Sequence, residues 1–135
     1  MTENTKRNCS ILVIENDPVL QRLVTDHLSA DGFSVKSASS QKEGEALMAS
    51  TPFDLLITEL MLEETDSGFL LCYHFKRRYP AGKAVILTDA AAKTGIHFDL
   101  SAEDAKEWIK ADAILDKTIR LEQLDSLIRR ICFSN

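Results

Sequence analysis

Short apolar runs alternate along the chain with longer stretches whose apolar residues recur at helical spacing. Ser10–Ile14 (SILVI), Asp54–Leu60 (DLLITEL), Lys83–Thr88 (KAVILT) and Asp112–Leu115 (DAIL) are rich in aliphatic and β-branched residues and too short for buried helices. They predict strands, as does the shorter Phe33–Lys36. Between the first two of these strands, Val19, Leu20, Leu23, Val24 and Leu28 follow a helical stripe. Asp17 stands at its N-cap, Pro18 at its first position and Gly32 just past its end. Ser40-x-x-Glu43 forms a capping box ahead of Ala46 and Leu47, and Thr51-Pro52 ends that helix. After Gly68, the stripe Leu71, Cys72, Phe75, Tyr79 predicts a third helix, closed by Pro80. A fourth is expected over Ser101–Lys110, capped by Ser101-x-x-Asp104 and carrying Ala105, Trp108 and Ile109. The last presents Leu121, Leu124, Leu127, Ile128 and Ile131 on one side.

Five strands alternating with five helices predict an α/β doubly wound fold. Strands that are apolar without interruption have both faces covered, as in a parallel sheet. Right-handed crossovers then bring every strand's C-terminal end to one edge, where such folds bind ligands. The residues at those ends are therefore the ones to read for chemistry. Glu15-Asn16-Asp17 follows the first run, Glu59 follows DLLIT of the third, Thr88 follows AVIL of the fourth with Asp89 after it, and Asp116-Lys117 follows the fifth. Two strands supply acids, one a hydroxyl and one an ammonium. That set suits phosphoryl chemistry with a divalent cation: carboxylates hold the metal, and the hydroxyl and ammonium receive phosphoryl oxygens.

Composition narrows the picture. Sixteen Lys and Arg against 21 Asp and Glu leave a net charge of −5, the wrong sign for gripping nucleic acid by overall charge. No apolar run is long enough to span a bilayer, and the polar start MTENTKRN lacks a signal-peptide core. The three cysteines (Cys9, Cys72, Cys132) have no metal-binding spacing, so a cytoplasmic protein with reduced thiols is expected. His27, His74 and His97 are scattered, and Lys76-Arg77-Arg78 and Arg129-Arg130 read as solvated helix faces. A Mg²⁺-dependent phosphoryl-transfer enzyme on the same rim lacks the motifs it would need. There is no GxxxxGK[ST] or GxGxxG loop after the first strand, and no GxSxG nucleophile elbow.

From about Cys9 to Cys132 the chain resembles the receiver domain of bacterial two-component response regulators. ILVIENDP is similar to that family's strand-one acidic motif, with the pair at Glu15 and Asn16. DLLITELML is similar to the phosphoacceptor motif, with Glu59 at the aspartate position; ILTDA and ILDKT are similar to the Thr and Lys motifs at Thr88 and Lys117. The resemblance implies a CheY-like, flavodoxin-like (βα)5 fold with a five-stranded parallel sheet in the order 2-1-3-4-5. Residues 9–135 would form one receiver domain behind a flexible tail, 1–8, with no output domain.

The departures from the family pattern bear on function. Glutamate at position 59 carries its carboxylate about 1.5 Å farther than aspartate, one carbon–carbon bond. An error of about 1 Å can cost a positioned reaction about a hundredfold. Asn16 replaces one of the two acids that hold Mg²⁺ in the family. A site made of Glu15, Asn16, Glu59 and the backbone of Met61 would bind the ion weakly or not at all. Glu63-Glu64-Thr65 lies where the family has a proline, Ile114 stands at a position that often carries an aromatic switch residue, and Thr118 replaces the proline after the lysine. The stretch from Thr88 to Lys117 is longer than receivers usually need, and its Phe98 and Leu100 point to an ordered docking segment.

The leading reading is a stand-alone pseudo-receiver in phosphorelay signalling, in which Glu59 stands in for the charge of a phosphorylated aspartate. It would dock with a sensor histidine kinase, a downstream effector or a second copy of itself. The alternative is a working receiver phosphorylated with the help of Mg²⁺, with Thr88 and Lys117 orienting the phosphoryl group.

Overall fold

A computed structural model describes residues 9–89, 110–118 and 120–133. Its element order is β1 (Ser10–Ile14), α1 (Pro18–Ala30), β2 (Ser34–Ala38), α2 (Gln41–Ser50), β3 (Leu55–Thr58), α3 (Ser67–Arg78), β4 (Lys83–Thr88), β5 (Ala113–Asp116) and α4 (Leu121–Phe133). All strand pairs are parallel, and the sheet order is β2-β1-β3-β4-β5, as expected. The expected helix over Ser101–Lys110, with Trp108 and the docking segment around Phe98 and Leu100, lies outside the described residues apart from Lys110.

The unbroken apolar runs conceal a period of two, because successive side chains point to opposite faces of a sheet. Ile11, Val13, Leu55, Ile57, Val85 and Leu87 face one core, with Val24 and Leu28 of α1 and Leu124, Leu127 and Ile128 of α4. Leu12, Ile14, Leu56, Ala84 and Ile86 face the other, with Met48 of α2 and Leu71, Cys72 and Phe75 of α3. β1, β3 and β4 are thus covered on both sides, and their polar residues (Ser10, Thr58, Lys83 and Thr88) stand at the strand ends. The edge strand β2 differs. It reaches Ala38 instead of Lys36, and most of its residues are exposed or half-buried.

Local signals act where the sequence places them. Asp17 Oδ1 accepts from the amides of Val19 and Leu20 at 3.0 and 3.4 Å. Ser40 Oγ accepts from the Glu43 amide, while the Glu43 carboxylate reaches back to Ser39 N instead of the Ser40 amide. Gly32 has φ +101°, a conformation that side-chain-bearing residues rarely adopt, and it turns the chain from α1 into β2. Arg77, Arg78, Arg129 and Arg130 are exposed, as expected, while Lys76 is half-buried and pairs with Asp112 at 2.7 Å. Arg78 bonds Ala49 O, and His27 bonds Asp125 across α1 and α4.

One glycine sets the approach of α3 to the sheet edge. A Cβ on Gly68 would fall 2.6 Å from Glu59 O and 2.6 Å from Leu60 Cα, both backbone atoms that cannot swing aside. At Gly44 the obstacle is the movable end of the Ile14 side chain. Gly68→Ala should therefore destabilise the protein by about 1–3 kcal/mol and Gly44→Ala by less. Urea denaturation of the two variants checks the order.

Candidate functional site

Register places the candidate residues together. Ile14 pairs with Thr58, Thr58 with Ile86, and Thr88 with Asp116, so residues just beyond these pairs share one rim. Backbone bonds extend the ladder past the strands: Glu15 N donates to Ala38 O, Glu59 N to Ile14 O and Lys117 N to Thr88 O. Glu15, Glu59 and Thr88 are 3–4% exposed, as expected of groups drawn in by one another.

Lys117 is the hub. Its Nζ lies 2.6 Å from Glu59 Oε1 and 3.1 Å from Glu15 Oε2. The other Glu59 oxygen, Oε2, accepts from Thr88 Oγ1 at 2.5 Å and from the Met61 amide at 2.9 Å. Glu15 Oε2 also accepts from the Asp17 amide at 3.0 Å. Every buried charge at the rim has an opposite charge or a directed donor, as its removal from water requires.

The electrostatics follow from this packing. Burial pushes the Glu15 carboxyl above its ordinary pKa, against the opposing pull of the Asp17 amide and Lys117. Burial also disfavours the Lys117 ammonium, but its hydrogen bonds to Glu59 and Glu15 and their charges outweigh that and raise its pKa.

The donor set does not fit a divalent cation well. The two carboxylates have an ammonium between them, and the backbone oxygen of Met61 accepts from Asn16 Nδ2 at 3.4 Å. Asn16 thus presents a hydrogen-bond donor to the carbonyl expected as a ligand. Among the described residues, no three His, Cys, Asp or Glu side chains are grouped to hold a metal.

Several supporting contacts have no sequence signal of their own. The Met61 amide is one, since the sequence reading placed that residue's backbone only in a metal site. Gln21 Nε2 donates to Glu15 O, Ala38 O and Ser39 Oγ, tying together the ends of β1 and β2. Glu63 accepts from the first two amides of α2, Gln41 and Lys42, at 2.6 and 2.9 Å, and these bonds hold its pKa below the usual range. The loop after Glu59 is latched to a helix N-terminus, where a carboxylate is favoured. Ile114 is half-buried against the second core, and Asp66 stands exposed at the start of α3.

Residues 11–129 match the family described as response regulator receiver domain. The transcriptional regulatory protein PmrA of Pectobacterium parmentieri is 28% identical over 125 residues, covering 93% of this chain and 53% of its own length. A two-component response regulator from Clostridium difficile matches with a TM-score of 0.76 at 25% identity, over 92% of this chain and 95% of that one. TrrA of Thermotoga maritima, solved in complex with Mg²⁺-BeF, has a TM-score of 0.72 at 17% identity, over 91% and 98% of the two chains. That last likeness speaks for the fold alone. The chain spans about half the length of PmrA and 20–30% of several other curated relatives. Among the described residues, no helix is long and apolar enough to cross a membrane. The family match runs from β1 into α4 and takes in every strand end that builds the rim, so the chain belongs to the response regulator receiver family, a signalling domain of two-component systems.

Proposed function

We propose that this chain is a pseudo-receiver, a regulatory docking module whose rim holds a permanent charge arrangement in place of a phosphorylation cycle. The observation that carries this reading is the state of Glu59. One carboxylate oxygen is held by Lys117, and the other by Thr88 and the Met61 amide. A nucleophile must be aligned with its phosphodonor, and here three donors draw the carboxylate toward Lys117, Thr88 and the Met61 amide, Oε2 accepting twice and Oε1 held by the ammonium. In the receiver family, the hydroxyl and ammonium at these positions orient a phosphoryl group. Here they close on the carboxylate that the longer side chain extends toward them. The mimicry is partial, because a phosphoryl group carries about two charges and three acceptor oxygens.

Magnesium has no step in this reading. Lys117 supplies the positive charge between the two acids, and Asn16 bonds the backbone oxygen of Met61. The signal would leave through protein contacts, with a sensor histidine kinase, an effector or a second copy as the partner. We assign residues 9–135 to a single receiver-like unit and no catalytic role to the rim.

Acetyl phosphate and Mg²⁺, followed by intact mass, should leave the protein unmodified. A stable phosphoryl adduct on the unaltered chain would overturn the proposal in favour of a working receiver. The double substitution Glu59→Asp with Asn16→Asp should gain an adduct, since it restores both a shorter nucleophile and the second acid.

Lys117→Met should cost about 3–5 kcal/mol, because it leaves two buried carboxylates without their cation. The sign of the pH effect follows from Glu15. Its folded-state pKa lies above the ordinary value, so the folded protein binds the proton more tightly than the unfolded chain does. The folded state is then favoured as pH falls through that raised pKa and loses stability as pH rises. The deficit of Lys117→Met should be larger at mildly basic than at mildly acidic pH, as measured by urea denaturation at both.

A further inference from the structure

At the sheet edge opposite the carboxylate rim, two cysteines far apart in sequence line one groove. Cys9 immediately precedes β1 and is buried; Cys132 lies in the last turn of α4 and is half-buried. Both line one groove of about 720 Å³, whose wall also carries Asp54, Arg78 and Lys83. The two side chains belong to the same core face, Cys132 packing against the cluster that contains Cys9. Neighbouring contacts fix both backbones. Cys9 O accepts from the Ser34 amide at 3.2 Å, and Phe133, next to Cys132, stacks on Phe33 with ring centroids 6.2 Å apart.

The pair is chemically unequal. The influence of each thiol on the other pushes Cys9 up and holds Cys132 down, and Lys83 adds to the lowering of Cys132. The half-buried sulfur is therefore the better nucleophile, and the buried one remains a thiol beside it. Cys72 is different in kind. It is fully buried between the sheet and α3, and burial pushes it up to about 12.

We propose that Cys9 and Cys132 are an oxidation site, at which a hydroperoxide converts the thiol pair into a disulfide joining the start of β1 to the end of α4. The Cys132 thiolate attacks one peroxide oxygen and the O–O bond breaks. The leaving hydroxide or alkoxide takes a proton, and Cys132 becomes a sulfenic acid. The Cys9 sulfur then attacks the Cys132 sulfur, the S–O bond breaks, and water leaves with the Cys9 proton. Two thiols and one hydroperoxide give one disulfide, one water and one water or alcohol. The bond would close a loop over nearly the whole domain, so the oxidised protein should resist unfolding more strongly than the reduced one.

The test treats the reduced full chain with limiting hydrogen peroxide, alkylates it in denaturant, and maps its peptides without reduction. The expected result is one internal Cys9–Cys132 link, alkylation at Cys72 alone, and an unfolding midpoint shifted upward and restored by dithiothreitol. In Cys9→Ser the resolving thiol is missing, and dimedone should trap a sulfenic acid at Cys132. Three alkylated cysteines after peroxide, a link only between two molecules, or dimedone capture at Cys72 would each overturn the proposal. The wild-type map decides the question even if the variant does not fold.

Discussion

The Lys117 ammonium, held between the carboxylates of Glu15 and Glu59, is the interaction on which the rim depends. Two acids and one cation, all largely withdrawn from water, are stable only together. Remove the cation and the acids repel one another in a medium that screens them poorly. Remove the acids and the ammonium is stranded. The Thr88 hydroxyl and the amides of Met61 and Asp17 complete the arrangement by satisfying oxygens that the ammonium does not reach.

Such a triad can form only because the fold delivers its parts. Glu15 and Lys117 are 102 positions apart in sequence, and parallel pairing through three intermediate strand contacts brings them together. The two cores clamp the strands from both faces, so the rim residues have little freedom to separate. Gly68 matters for the same reason. By letting α3 approach the backbone of Glu59 and Leu60, it fixes the segment from which the central carboxylate projects.

Glu59 has one methylene more than the aspartate that the resemblance to the family places at this position. That methylene carries the carboxylate to the hydroxyl and ammonium, so groups suited to an incoming phosphoryl oxygen find an acceptor already in place. Asn16 acts in the same direction, turning a position that would attract a cation into a donor toward Met61 O. On the proposed reading, the two residues together favour a fixed charge pattern over a switched one. A receiver fixed in this way would act through whatever binds its surface.

Much of the fold is legible in the residues themselves. The apolar runs, the Asp17 and Ser40 caps and the punctuating Gly32 and Pro80 mark where elements begin and end, because these depend on local backbone chemistry. The strand-end residues Glu15, Glu59, Thr88 and Lys117 are legible too, since a parallel sheet brings its C-terminal ends to one edge. What stayed hidden depends on distant partners: Gln21 stitching two strand ends, Glu63 capping a helix from another loop, and the Met61 amide bonding Glu59. The groove shared by Cys9 and Cys132 belongs with these, as no spacing rule links residues so far apart in sequence. The sequence by itself determined which chemical groups reach the rim. Only the tertiary structure decided that they bind one another, because that depends on distances of a few ångströms set by packing.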